Sequence, residues 1–360
     1  MKLLTPGAAR PDTGAARLSY ANDLVRRTLA QHGLDKVAMP STASGTGVLS
    51  GLYGGLGLSG GPRDTAPSTP STPPTSQGLP HGATFDSHAW VSDHGTRRYR
   101  LYVPQAASSK PRGVILMLHG CTQTPEDFAT GTRMNALADR DGFVVIYPAQ
   151  ARGDNAQSCW NWFSRGDQRR GRGEPALLAG LTAHICGLYG VPQSATFVAG
   201  LSAGAAMAVI LGDTYPDVFA AVGAHSGLAT GSARDVSSAF AAMNGNPLTP
   251  DRAQSDAAPV RTIIFHGSAD RTVHPSNADG IARAIQAHAP RQTLETMQTG
   301  THGGRTASTR VLSDERGRTI LEHWTIDGQG HAWSGGNPAG SYCDAKGPDA
   351  SAEMVRFFFE

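Results

Sequence analysis

Apolar and polar positions alternate over residues 88–103 in a way that predicts a β-hairpin. The segments HAWVS and RRYRLYV are rich in aromatic and β-branched residues and flank the turn-forming sequence SDHGT. Two such runs separated by a short polar turn are typical of paired antiparallel strands. We therefore predict an antiparallel hairpin with its turn at residues 93–96.

Beyond the hairpin, short apolar runs alternate with longer segments of helical periodicity. The apolar runs predict strands at residues 113–119, 143–148, 195–200, 219–226, 261–267 and 318–326. Helices are predicted near residues 128–140 and at 177–189, 203–213, 276–288 and 350–359. Apolar strands that alternate with helices are typical of a parallel sheet covered on both faces. The predicted fold class is α/β, with a mostly parallel central sheet flanked by helices and an antiparallel hairpin at its N-terminal side.

The first 83 residues have a different composition. Leu18, Ala21, Val25 and Leu29 lie at helical spacing, which predicts one amphipathic helix at residues 16–34 in an otherwise flexible segment 1–57. Residues 58–83 are rich in Gly, Pro, Ser and Thr, and this composition is typical of a linker that cannot build a core. The folded domain is therefore expected at residues 84–360.

The charge balance argues against two classes of partner. The 360 residues carry 31 Lys and Arg against 29 Asp and Glu, a formal net charge of +2. Such a small net charge gives no strong electrostatic attraction to nucleic acid or to an anionic membrane. No apolar run reaches the roughly 18 residues of a membrane span. The opening MKLLTPGAARPDTG lacks the apolar segment of a secretory leader. We expect neither a nucleic-acid partner nor a transmembrane segment. The missing leader favours the cytoplasm, and the oligomeric state is left open.

A serine between two glycines is the first candidate for a catalytic residue. Ser202 lies in the sequence GLSAG, where an apolar strand turns directly into a helix of small residues. That strand–turn–helix context is typical of a nucleophile elbow, which holds a serine on a strained turn beside a helix N-terminus. The alternative is a serine in an ordinary βα turn.

A serine nucleophile needs a base and an acid that orients the base. In folds of this kind the order is Ser, acid, His, each after a strand. Asp270 follows the strand at 261–267, and His331 lies in a glycine-rich loop after the strand at 318–326. We therefore predict Asp270 and His331 as its partners. Capping, turn or structural roles are favoured for the competing residues Asp279, Asp327, His225, His266 and His274, and Asp256 is a further competitor nearby in the sequence.

Two backbone N–H groups are predicted to bind the oxyanion. One belongs to Ala203, the residue after the nucleophile, and the other to the loop after the strand at 113–119. That loop reads HGCTQT, where Gly120 permits a tight turn that leaves the N–H of Cys121 unpaired. The alternative is that this sequence is only a turn.

Six motifs together resemble one known family. HGCTQTPEDFA, SCWNWF, GLSAGAAM, FHGSADRTVHPSN, GQGHAWSGG and GPDASAEMVRFF occur in this order within residues 84–360. They resemble the polyhydroxybutyrate depolymerase-family esterases, which are α/β-hydrolases related to feruloyl and acetylxylan esterases. The resemblance implies a carboxylic ester hydrolase that uses Ser202, Asp270 and His331 without a metal or an organic cofactor.

The resemblance also bears on the four cysteines, which show no metal-binding spacing. It implies a Cys121–Cys159 disulfide beside the oxyanion residues. Cys186 lies on a predicted helix and is expected to be a buried free thiol, whereas the environment of Cys343 is left open. The implied disulfide, and the export of many members of this family, favour an extracellular protein. The sequence therefore leaves the compartment open.

The substrate is expected to be a small, oligomeric or polymeric ester. Trp160, Trp162 and Trp333 are candidate walls of an apolar pocket, with core packing as the alternative. Hydroxyalkanoate esters or their oligomers are favoured, and feruloyl or acetyl esters on sugars are the alternative. Two other hypotheses are a non-catalytic binding protein of the same fold and a serine peptidase. The N-terminal segment is expected to be a disordered tether, and docking of its helix on a hydrophobic granule is the alternative.

Overall fold

A computed structural model describes residues 78–249, 260–290 and 293–360 of the chain. The predicted helix at residues 16–34 and most of the predicted linker therefore lie outside the described residues. The first strand begins at Thr84, where the folded domain was predicted to start. In the described ranges, no helix has the length and apolar character that crossing a membrane requires.

A ten-stranded mixed sheet forms the centre of the described structure. Its strands are β1 (Thr84–Ser92), β2 (Gly95–Val103), β3 (Val114–Leu118), β4 (Val144–Pro148), β5 (Thr196–Leu201), β6 (Ala221–His225), β7 (Arg261–Gly267), β8 (Thr293–His302), β9 (Arg305–Asp314) and β10 (Thr319–Ile326). Their order across the sheet is β1-β2-β4-β3-β5-β6-β7-β10-β9-β8. Strands β4, β3, β5, β6, β7 and β10 are parallel, and an antiparallel hairpin lies at each edge. Two short strands, β11 (Trp333–Ser334) and β12 (Cys343–Asp344), pair separately.

Helices cover both faces of this sheet, as the apolar strands predicted. They are α1 (Pro125–Thr132), α2 (Met134–Asp141), α3 (Gly173–Tyr189), α4 (Ala203–Thr214), α5 (Val236–Met243), α6 (Ser276–Ala287) and α7 (Ala350–Phe359). One apolar cluster joins the sheet to α3, α4, α5 and α6, and a second cluster joins the opposite face to α1, α2 and α7. The predicted hairpin, parallel strands and flanking helices are thus confirmed.

One predicted helix is instead two. Residues 128–140 were expected to form a single helix, but the chain breaks at Arg133, which adopts a left-handed conformation with φ 55° and ψ 21°. Its guanidinium donates to the carbonyl oxygen of Gly335 at 2.7 Å and to Asp349 Oδ2 at 2.9 Å. These partners lie about 200 residues further along the chain, so local periodicity could not indicate the break.

The second edge hairpin and helix α5 were missed. Nearly every residue of β8 is exposed, and its sequence TLETMQTGTH shows no regular alternation of apolar and polar positions. A strand at the sheet edge with two solvated faces lacks the period-2 signal on which strand prediction depends.

Candidate active site

Ser202 occupies a strained turn between β5 and α4. Its backbone has φ 57° and ψ −118°, a conformation that non-glycine residues rarely adopt. A Cβ on Gly200 would overlap the backbone of Gly204, and a Cβ on Gly204 would overlap the carbonyl oxygen of Leu118. The two flanking glycines therefore allow the turn and its close approach to the end of β3. The local geometry is that of a nucleophile elbow.

Asp270 and His331 meet after the neighbouring strands β7 and β10. His331 Nδ1 donates to Asp270 Oδ2 at 2.7 Å. The other carboxylate oxygen accepts the backbone N–H groups of Thr272 and Val273, both at 2.9 Å. The carboxylate is thus held from both sides, and Nε2 is the ring nitrogen of His331 that can accept a proton.

The environment of Asp270 keeps this side chain ionised. Burial alone would raise its pKa, but the charge of His331 and hydrogen bonds from His266 and His331 hold the pKa well below its ordinary value. An ionised acid fixes the Nδ1–H tautomer of its histidine partner. The pair therefore has the electrostatics of a histidine prepared to act as a base.

The competing acids in the described ranges are exposed, whereas Asp270 is buried. Asp279 is exposed in the first turn of α6, and Asp327 begins the loop after β10 with its N–H donating to the carbonyl oxygen of Thr306. Asp256 lies outside the described residues.

The competing histidines differ in their exposure and in their partners. His274 is exposed and bonds to Ser276 at 2.9 Å. His266 is buried, and its Nε2 lies 2.8 Å from the carbonyl oxygen of Val273 and 3.4 Å from Asp270 Oδ2. His225 is fully buried at the end of β6. Of these three, only His266 directly contacts Asp270.

The loop at residues 119–124, called the oxyanion loop below, lies beside the Ser202 turn. The close approach of Gly204 to the carbonyl oxygens of Leu118 and His119 brings the start of α4 against it. Gly120 N–H donates to Gln123 Oε1 at 2.9 Å, and Thr122 N–H donates to the carbonyl oxygen of Gln157 at 2.8 Å. Within the described parts of the chain, the N–H groups of Cys121 and Ala203 have no acceptor.

Two further links brace the oxyanion loop. Cys121 and Cys159 form a disulfide with their Cα atoms 4.3 Å apart, as the family resemblance implied. Gln123 Nε2 donates to Asp127 Oδ2 at 2.9 Å and to the carbonyl oxygen of Ser341 at 3.1 Å. Sequence reasoning missed Gln123 and Asp127 as supports, although both lie in the motif HGCTQTPEDFA.

The three tryptophans named as pocket walls are all buried. Trp160 and Trp333 are 0% and 1% exposed, and Trp162 is 6% exposed. Trp160 Nε1–H donates to the carbonyl oxygen of His119 at 2.9 Å, and Trp333 Nε1–H donates to Ser351 Oγ at 3.0 Å. Such burial and pairing are typical of core packing, and a role in binding substrate stays a prediction.

The two remaining cysteines are free thiols. Cys186 is buried on α3, as predicted, and burial raises its pKa. Cys343 is half-buried beside α1, and burial raises its pKa to about 12. Neither thiol therefore has the depressed pKa of a reactive cysteine.

Comparison with known proteins agrees with the motifs. A family model described as esterase PHB depolymerase matches residues 97–301, more than half of the chain. The poly(3-hydroxyalkanoate) depolymerase C of Paucimonas lemoignei is 32% identical over 257 residues, which are 67% of this chain and 60% of that protein. The acetylxylan esterase A of Talaromyces purpureogenus is 30% identical over 199 residues, 51% of each chain. The chain thus spans about half to three fifths of the length of these curated relatives.

A solved structure establishes the fold independently of the family match. An acetyl xylan esterase from Aspergillus awamori superposes with a TM-score of 0.59 at 22% identity, covering 77% of this chain and all of that one. The shared architecture is the α/β-hydrolase fold. With the family model matching most of the central sheet and both relatives at 30% identity or above, the chain belongs to the PHB depolymerase esterase family.

Proposed function

We propose that this protein is a serine carboxylic ester hydrolase that acts through an acyl-enzyme. The observation that carries the proposal is the 2.7 Å contact between His331 and the buried Asp270. This pair follows β7 and β10, in the same sheet and at the same strand ends as the strained Ser202 turn. A serine, an acid and a histidine in this order along the chain are the parts of an α/β-hydrolase-type serine hydrolase.

In the proposed reaction His331 is the proton carrier. Its Nε2 takes the proton of Ser202 Oγ as that oxygen attacks the ester carbonyl, and Asp270 stabilises the imidazolium that forms. The tetrahedral intermediate collapses, and the alcohol leaves with the proton from His331. A water molecule, activated by the same nitrogen, then attacks the acyl-enzyme, releases the carboxylic acid and restores Ser202.

The oxyanion is assigned to the N–H groups of Cys121 and Ala203. Their lack of acceptors in the described structure supports this role, since unpaired donors fixed by a rigid loop stabilise a developing negative charge. No step of this mechanism needs a metal or an organic cofactor.

Removing the disulfide should affect both stability and rate. The bridge spans 38 residues, and replacing Cys121 and Cys159 together by serine should lower the free energy of unfolding by about 3–4 kcal/mol in the chain-entropy description. The turnover number, kcat, should fall as well, because the Cys121 N–H loses its brace. Urea denaturation and steady-state kinetics measure the two effects, with Cys343→Ser as the control that keeps the bridge. Unchanged stability and kcat in the double variant would contradict the bracing role.

Hydroxyalkanoate esters and their oligomers are the proposed substrates. The support is the match to a poly(3-hydroxyalkanoate) depolymerase, which covers more of this chain than the match to the acetylxylan esterase. The acetylxylan esterase similarity favours acetyl or feruloyl esters on sugars as the second candidate.

A matched substrate panel separates these candidates. Wild type and Ser202→Ala would be compared on para-nitrophenyl acetate and butyrate, 3-hydroxybutyrate oligomers, methyl ferulate, acetylated xylan and amorphous polyhydroxybutyrate. We expect Ser202-dependent cleavage with the highest kcat/KM on the hydroxybutyrate oligomers. A higher kcat/KM on acetylated xylan or methyl ferulate would move the assignment to sugar esters. Absence of Ser202-dependent cleavage on every ester would favour the non-catalytic alternative.

A further inference from the structure

His225 lies beside the turn that carries the nucleophile. It is the last residue of β6, which lies between β5 and β7, and it is fully buried. Its carbonyl oxygen accepts the N–H of Ser202 at 2.9 Å. The backbone of His225 is therefore one of the groups that hold the strained Ser202 turn in place.

The ring of the same residue reaches the segment that carries the general base. Ser334 N–H donates to His225 Nε2 at 3.0 Å, so this nitrogen must be unprotonated. The proton then resides on Nδ1, which lies 3.1 Å from Ser226 Oγ. Ser334 is three residues after His331 and is itself fully buried.

Packing leaves this ring no freedom to turn. It stacks on Trp333 with centroids 5.2 Å apart and on Phe265 with centroids 5.8 Å apart. Burial, with the nearby charges of His266 and His331, holds the pKa of His225 well below its ordinary value. The ring is therefore neutral, and a neutral ring can keep Nε2 as an acceptor.

We propose that His225 is a positioning residue, which fixes the base loop (residues 331–335) relative to the Ser202 turn. The inference rests on the proposed function. One residue bonds to the nucleophile through its backbone and to the base loop through its side chain, so the separation of Ser202 and His331 depends on it. The proton transfer between them needs this separation to be held, because a misplacement of about 1 Å can cost on the order of 100-fold in rate.

Two substitutions of His225 should have different effects on turnover. His225→Met has a similar volume, but its thioether sulfur is only a weak acceptor, so the Ser334 N–H loses its strong hydrogen bond and the base loop can shift. His225→Gln places an amide oxygen at about the distance from Cα that Nε2 has, and it can accept that N–H again. We expect kcat to fall about 10- to 100-fold in the Met variant with little change in KM, and to recover at least several-fold in the Gln variant.

His323→Met is the matched control. His323 is a buried histidine on β10 of the same sheet, and burial lowers its pKa to about 4. Replacing His323 should lower the midpoint of thermal unfolding about as much as replacing His225 does. It should leave kcat within about threefold of wild type. A general effect of losing a buried imidazole is thereby separated from the effect of moving the base loop.

The kinetic outcomes separate this inference from the function on which it rests. If hydrolysis depends on Ser202 but His225→Met keeps the wild-type kcat, only the inference is overturned. The same holds if the kcat of His225→Gln is no higher than that of His225→Met. Hydrolysis that does not depend on Ser202 would overturn the proposed function and the inference with it.

A measurement on the wild-type protein covers the case in which neither variant folds. Long-range ¹⁵N–¹H correlation spectra of labelled protein identify which ring nitrogen of a neutral histidine carries the proton. We expect His225 to be the Nδ1–H tautomer at neutral pH. An Nε2–H tautomer or a charged ring could not accept the Ser334 N–H, and either result would overturn the inference.

Discussion

Replacing Ser202 by alanine should lower kcat for ester hydrolysis by about 10⁴- to 10⁶-fold, because the serine, histidine and acid of such a site act as one unit. Ser202 is the residue at which the acyl group would become covalently attached, so no neighbouring group can substitute for it. Binding of an ester should change little, because the oxyanion N–H groups and the surrounding loops are retained. Initial rates on para-nitrophenyl butyrate at high enzyme concentration measure the loss.

The control for this variant is its stability. Ser202 has φ 57°, a value that costs an alanine about as much as a serine, so thermal unfolding of Ser202→Ala should match wild type. Ser202→Gly should be equally inactive and at least as stable, because glycine adopts this φ without strain. A glycine variant that retained wild-type turnover would contradict the nucleophile assignment.

Replacing Asp270 by asparagine should lower kcat by about 10⁴-fold while the fold is retained. The amide oxygen can still accept the N–H groups of Thr272 and Val273, which the carboxylate accepts at 2.9 Å. The amide NH₂ would face His331 Nδ1 and force the proton onto Nε2. That tautomer cannot take the proton of Ser202. Single-turnover acylation rates measure the effect at the step where the proton moves.

Asp279→Asn is the matched control for the acid. Asp279 follows the same strand, but it is exposed in the first turn of α6. Its replacement should change kcat by less than about twofold and lower stability slightly, through the lost interactions with the helix N-terminus and with the charge of Arg310. An Asp270→Asn variant with kcat within tenfold of wild type would contradict the role assigned to the acid.

The fold and the arrangement of the candidate site were predictable wherever the chemistry follows from local sequence. Strand β7 was predicted with the limits that the structure has, Arg261–Gly267, because the apolar residues Ile263, Ile264 and Phe265 lie between a β-branched threonine and a glycine. The small residues around Ser202 likewise identified the elbow, since only glycine at positions 200 and 204 allows that backbone approach. Asp270 and His331 were each expected after a strand, and those strands, β7 and β10, are parallel neighbours in the sheet.

Features that depend on distant contacts could not be predicted in the same way. The break at Arg133 depends on Gly335 and Asp349, which are about 200 residues away along the chain. The edge strand β8 carries no apolar alternation because both of its faces are solvated. The bond from Ser334 to His225 joins residues 109 positions apart. A sequence pattern indicates which residues are buried, but it does not indicate which buried residues contact each other.

The nucleophile assignment is tested most directly by locating a covalent adduct. The protein would be treated with an active-site-directed phosphonate ester, which reacts with an activated serine and leaves ordinary serines unmodified, and the modified peptide would be mapped by mass spectrometry. We expect one adduct per chain on Ser202, slower labelling in Asp270→Asn, and none at this peptide in Ser202→Ala. An adduct on a different serine, or equal labelling of wild type and Ser202→Ala, would contradict the assignment of Ser202 as the nucleophile.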